Sequence, residues 1–200
     1  MDVDLYHAKH GVMPPAMFQG FANLEAWVDK RRFELRPLDG FARDEAVNVV
    51  DKLGRTYDGI WVESASDRYR EAMIAHAKLH GTSETDMSQL DADHVINRAC
   101  LGPGMADVWL AVMPVGLSSN RSFGSAIEKK LAKIDASTSR VDIGPLQLMK
   151  ILLVNSPADD TRVDAKILEV AGQLEDGPDK AGLIAEAQAA YKAARKWTAL

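Results

Sequence analysis

Apolar residues Leu24, Trp27, Val28 and Leu35 recur at helical spacing, and Pro37 and Gly40 close that segment. Ala46, Val49, Val50 and Leu53 repeat the same spacing, with Gly54 at the stop position, and predict a second helix. Residues 57–62 are rich in aromatic and β-branched side chains and predict a short strand. Ser66 or Asp67 caps a further helix, whose apolar face is Tyr69, Ala72, Met73, Ala77 and Leu79 and whose end is Gly81. A strand carrying Asp93 and His94 follows, then a loop marked by Gly102-Pro103-Gly104, then a buried strand over residues 108–113. The chain turns at residues 116–119, and Phe123, Ile127, Leu131 and Ile134 return to helical spacing. Beyond Ser137 the pattern is that of three helices, with Pro145 in the first turn of one and Pro157 and Gly177-Pro178 as separators. Residues 2–19, with Pro14-Pro15 inside them, read as an irregular arm.

This order predicts an α+β fold, mainly α, in which a small strand–loop–strand–helix element sits within a helical shell. Three segments are expected in one compact domain: an arm and helical region over 1–90, a candidate catalytic segment over 91–136, and a helical region over 137–200. A hydrophobic fraction of 46% supports a sizeable core, and a charged fraction of 26% of mixed sign is that of a folded domain.

Charge then narrows the candidate partners. The net charge is −5, which argues against a broad basic surface for nucleic acid and leaves room only for a local patch. Residues 91–133 supply one: Arg98, Arg121, Lys129, Lys130 and Lys133 outnumber Asp91, Asp93, Asp107 and Glu128 by one. The single cysteine, Cys100, excludes an internal disulfide and a cysteine-based zinc knuckle, and fits a reducing compartment. The acidic start, Met1-Asp2-Val3-Asp4, is not that of a signal peptide, and the longest apolar run, Ile151-Leu152-Leu153-Val154, is too short for a bilayer. The expectation is a cytoplasmic protein, or one delivered into a target cell, with no membrane partner.

The middle segment carries the candidate chemistry. Asp93-His94 stands on one strand, Asp107 just before the next, and Asn120-Arg121-Ser122-Phe123-Gly124 at the start of a helix. This order resembles the ββα-metal finger of the HNH endonuclease family, over about a fifth of the chain. Asp107 stands where the family commonly has Asn, and Phe123 where it commonly has Lys. The resemblance implies a metal-dependent nuclease acting on DNA or RNA, with DNA favoured. It makes His94 the general base that takes a proton from water, and Asp107 the group that orients its ring. It makes Asp93, His94 and Asn120 the metal site, with Mg²⁺ first and Zn²⁺ or Mn²⁺ as alternatives. Arg98 and Arg121 would hold the phosphate, helped by the positive end of the helix. A toxin of this class would have a cognate inhibitor protein as partner. The competing expectation is a non-catalytic helical adaptor that keeps the ββα shape.

Other histidines carry less. His76 and His80 lie four apart on a predicted helix, a spacing two metal ligands use, but the sequence shows no third ligand and the pair reads as partly buried and solvated. His7 and His10 fall in the arm and have no assigned role.

Overall fold

The computed structural model describes residues 3–53, 56–83, 87, 90–116, 133–144, 147, 151 and 185. Helix α1 (Val3–His10) leads into strand β1 (Pro15–Gln19), helix α2 (Phe21–Arg31) and strand β2 (Phe33–Pro37). Strands β3 (Ala46–Asp51) and β4 (Asp58–Glu63) follow, then helix α3 (Tyr69–Leu79) and strand β5 (Leu90–His94). A 3₁₀ turn at Arg98–Cys100, strand β6 (Val108–Gly116) and strand β7 (Arg140–Asp142) complete the elements.

The expectation of a mainly helical protein is wrong. The body is a curled antiparallel sheet of seven strands, with three short helices among the described residues. The order is β2-β3-β4-β6-β1-β7, with β5 also paired to β6. Strand β6 is the spine. One edge pairs with β4, from Glu63↔Trp109 to Ile60↔Val112. The other edge is shared end to end by two strands, β1 opposite residues 108–110 and β5 opposite residues 112–116.

The physical reason for the error lies in β3. Its residues Ala-Val-Asn-Val-Val-Asp are buried at every position, because both faces of the sheet are covered. A strand buried on both faces loses its apolar–polar alternation, and Ala46, Val49 and Val50 then happen to match helical spacing. The helical spacing that begins at Leu24 also takes in Leu35. Instead α2 ends at Arg31, the next residue Arg32 adopts the left-handed conformation (φ 58°), and Leu35 belongs to β2. The arm also acquires structure: α1 forms, and Pro15 opens β1 at a strand's first residue, where proline is tolerated. Residues 140–142, placed in a helical region by their sequence, add β7 to the edge of β1. The predicted β4, α3, β5 and β6 are all present.

Each face of the sheet has its own core. On one, α2 places Leu24, Trp27 and Val28 against Phe18, Phe33, Tyr57, Trp61 and Trp109, with Tyr6 of α1 beside them. On the other, α3 places Ala72 and Met73 against Ala46, Ile60, Val62, Ala92 and Val112. Strand alternation sorts the polar residues between the faces. Asn48, Asp58 and His94 share the α3 face, since Asn48 pairs with Ile60, Ile60 with Val112, and Val112 with His94.

Candidate metal centre on the α3 face

Asp58 opens β4 and looks toward α3. His76 and His80, one helical turn apart, look back at it. Asp58 Oδ1 lies 2.6 Å from His76 Nε2, and Asp58 Oδ2 lies 2.9 Å from His80 Nε2. The two imidazole centroids are 4.8 Å apart. The three ligand atoms all fall within 4.8 Å of one another, and no other His, Cys, Asp or Glu group of this kind occurs among the described residues. A tetrahedral ion with bonds near 2.0 Å holds its ligand atoms roughly 3.3 Å apart, so small rotations suffice to place one ion on all three.

Burial raises the Asp58 carboxyl's pKa, but the His76 hydrogen bond and the charges on His76 and His80 outweigh it and hold the group below its ordinary value. Asp58 and His76 are the more enclosed members and His80 is half exposed. Two hollows meet at the cluster. A cleft of about 180 Å³ runs past Asp58 and His76 between Ile60, Val112, Met113 and Pro114. An open groove of about 360 Å³ runs past Asp58 and His80, walled by Glu34, Arg36, Asn48 and Leu79.

Two nitrogens and one carboxylate oxygen form a donor set suited to zinc and other borderline transition ions. An ion held by three protein ligands would keep at least one position open for an outside group.

Of the described residues singled out in the sequence, His94 and Arg98 lie together against Tyr69, and Asp93 and Asp107 lie apart from them. His94 is 5% exposed, with its ring 4.7 Å from that of Tyr69. Asp93 pairs with Met113 and faces the opposite side of the sheet. Arg98 stacks on Tyr69 at 5.4 Å and donates to the Ser64 carbonyl and to Asp67, each at 3.2 Å. So His94, Tyr69 and Arg98 form one layered group. Asn120 and Arg121 lie outside the described residues.

Asp107 is elsewhere. It precedes by five residues the β6 position paired with His94, about 17 Å along the strand and beyond hydrogen-bond reach of that ring. Its carboxylate instead accepts from the Phe21 amide at 3.2 Å and the Trp109 indole N–H at 3.0 Å, and its carbonyl accepts from the Gly20 amide. Phe21 is the first residue of α2, and Gly20 before it has no side chain to cap the helix. Asp107 therefore caps α2 from the bend just before β6, in a left-handed conformation (φ 51°) that aspartate tolerates better than most residues. Asp107→Ala is expected to lower stability by about 1–2 kcal/mol in urea unfolding, and Asp107→Asn by less, because the one amide oxygen keeps one of the two acceptor roles, toward Phe21 or toward Trp109.

Sequence reasoning found the His76–His80 spacing and missed Asp58, 18 residues before His76 on a different element. Only the packing of α3 on β4 brings the carboxylate under the helix. No protein-family model, curated protein or solved structure matches this chain. Among the described residues, no helix is long and apolar enough to cross a membrane.

Proposed function

We propose that this protein is a metal-dependent hydrolase whose divalent ion rests on Asp58, His76 and His80. The observation that carries the reading is the convergence of those three donors, from two elements, at the meeting of a cleft and a groove. Such an ion supplies Lewis acidity to a water or an ester oxygen. The chain's own part is to fix the donors. The His76–His80 spacing is set by one helical turn, and Asp58 is held by its strand. The donor set favours zinc over Mg²⁺. A cytoplasmic setting suits the buried thiol of Cys100.

A second reading keeps the nuclease centre at His94. It is favoured by the antiparallel β5–β6 pair, which reproduces the strand–loop–strand order with His94 at the end of its strand. Under this reading oxygen ligands and Mg²⁺ are expected, with nucleic acid as substrate and, for a toxin, an inhibitor protein as partner.

One experiment separates the two. The full chain is incubated with plasmid DNA and with RNA in Zn²⁺, Mn²⁺ or Mg²⁺, beside His76→Ala and His94→Ala. Cleavage lost only in His76→Ala supports a nuclease centred on Asp58. Cleavage lost only in His94→Ala supports the second reading. Absence of cleavage with every metal removes nucleic acid as substrate, and if zinc also fails to bind, the protein is an interaction module in which Asp58 merely docks α3.

A further inference from the structure

We infer that the outer edge of β2 is a self-association surface, to which a second copy of this chain adds its own β2, antiparallel, about a two-fold axis at Leu35. The inference is independent of the metal reading.

Strand β2 ends the sheet. Among the described residues it pairs only with β3, which leaves its other side without a strand. Two observations fix which backbone groups point outward. Pro37 is opposite Val47 and has no N–H, so that pair is of the kind that exchanges no hydrogen bonds. On the far side of β3, the Asp51 amide donates to the Tyr57 carbonyl, so Asp51 is turned toward β4 and away from its β2 partner Phe33. Both place Glu34 and Arg36 in the bonded pairs with β3. Leu35, between them, therefore turns its N–H and C=O to the outer edge, and Pro37 turns its C=O the same way.

The side chains then select the partner. In an antiparallel pairing of two β2 edges, an outward-turned residue must meet another. With Leu35 opposite Leu35 of the second copy, each Glu34 faces an Arg36, which gives two cross-strand pairs of opposite sign. With Leu35 opposite Phe33, Glu34 faces Glu34. With Leu35 opposite Pro37, Arg36 faces Arg36 and the proline supplies no donor. Only the first register joins unlike charges. Glu34 and Arg36 are 44% and 50% exposed, and their own 3.0 Å ion pair runs along the strand. A second copy leaves that pair intact and closes a ring of four charges of alternating sign.

This ring lies on the α3 face, since Arg36 is opposite Asn48. Leu79, at the end of α3, is 56% exposed and borders the same groove as Glu34, Arg36 and Pro37, so it adds apolar surface at the seam. The open grooves beside the two Asp58 residues then lie on either side of that seam. Charges and a proline blunt an edge strand against foreign strands. Here the same residues fit one partner, the copy in which the two-fold axis reverses their order. A five-residue edge makes a small interface, so the dimer is a weak one.

Sedimentation equilibrium of the full chain, from about 1 μM to about 1 mM, is expected to show monomer and dimer in exchange. Glu34→Arg and Arg36→Glu each put like charges into both cross-strand pairs and are expected to weaken the dimer about 10-fold or more. The double variant Glu34→Arg/Arg36→Glu reverses the pattern and is expected to regain the parent's affinity. An equimolar mixture of the two single variants is expected to form a heterodimer tighter than either forms alone, a result that misfolded chains do not give. Asp142→Arg, on the opposite edge strand β7, is expected to change nothing. A chain that stays monomeric over the whole range overturns the inference. So does a dimer that ignores Glu34→Arg, one that the double variant fails to restore, or one that Asp142→Arg abolishes.

Discussion

Asp58→Asn is expected to weaken Zn²⁺ or Co²⁺ binding by about 100-fold or more, since even a partner one step removed from a metal is worth 10–100-fold. The carboxylate is the only anionic donor of the three, and it alone spans both imidazoles, at 2.6 and 2.9 Å. An amide at that position keeps a weak oxygen ligand and loses the charge. Two measurements read the effect. Competition with a chromogenic chelator gives the affinity directly. Thermal unfolding gives it through linkage: metal at 100 times its Kd adds about 2.7 kcal/mol to the parent, and the increment nearly vanishes in the variant at the same concentration. Unchanged affinity in Asp58→Asn would remove Asp58 from the centre.

The same cluster responds to acid. Metal requires its ligands deprotonated, so affinity falls as pH is lowered. In the metal-free chain the Asp58 pKa is depressed, so its contribution to stability is complete above the ordinary carboxylate range, near pH 4. It is lost as pH falls through the lower folded value.

The second large effect is predicted at Asp51, which closes the turn between β3 and β4. The residue is 4% exposed and carries a full set of partners. Oδ2 accepts from Lys9 Nζ at 2.9 Å and from Thr56 Oγ1 at 2.6 Å, and Oδ1 accepts from the Leu53 amide at 3.0 Å. One carboxylate thus ties α1, the turn and the sheet together. Asp51→Ala is expected to cost about 3 kcal/mol, because charge-assisted bonds are worth about 1.5–3 each and the Thr56 hydroxyl stays buried without its acceptor. Burial alone would raise the Asp51 pKa. The bonds from Lys9, Thr56 and Leu53 and the charge on Lys9 override it and hold the group well below the ordinary range. The sign is that of a depressed carboxylate: stability is fully present above about pH 4 and declines as pH falls further toward the folded value. Urea unfolding at pH 7 and at pH 3 checks both parts. Asp51→Ala should show the large loss at pH 7 and a smaller difference from the parent at pH 3. A variant as stable as the parent at pH 7 would mean that Lys9 and Thr56 find other partners.

What could be read from the chain follows from local against non-local order. The aromatic and β-branched run before Glu63, the capped apolar repeat of α3 and the apolar run of β6 are local signals, and each became the element it predicted. Strand β3 failed because burial on two faces erases the alternation that marks a strand. The end of α2 failed because Arg32, not glycine, adopts the left-handed turn. At the candidate centre, the His76–His80 spacing was visible because one helix provides it. Asp58 was not, because its position beneath that helix depends on how α3 lies across β4. Asp107 was misplaced for the same kind of reason: its partner, the start of α2, is 86 residues away in sequence.

The tandem arrangement along one edge of β6 has a consequence for synthesis. Strand β1 lies between β6 and β7, and Phe18 meets Trp109 across a loop of roughly 90 residues. As the chain emerges from the ribosome, Ala16, Met17 and Phe18, all buried in the finished fold, have no strand to join until the spine has been made. Closing so long a loop is slow relative to local pairing, so the β2–β3–β4 meander and α3 assemble first and the N-terminal strand inserts late. Until then Ala16, Met17 and Phe18 are expected to stay exposed and open to a chaperone.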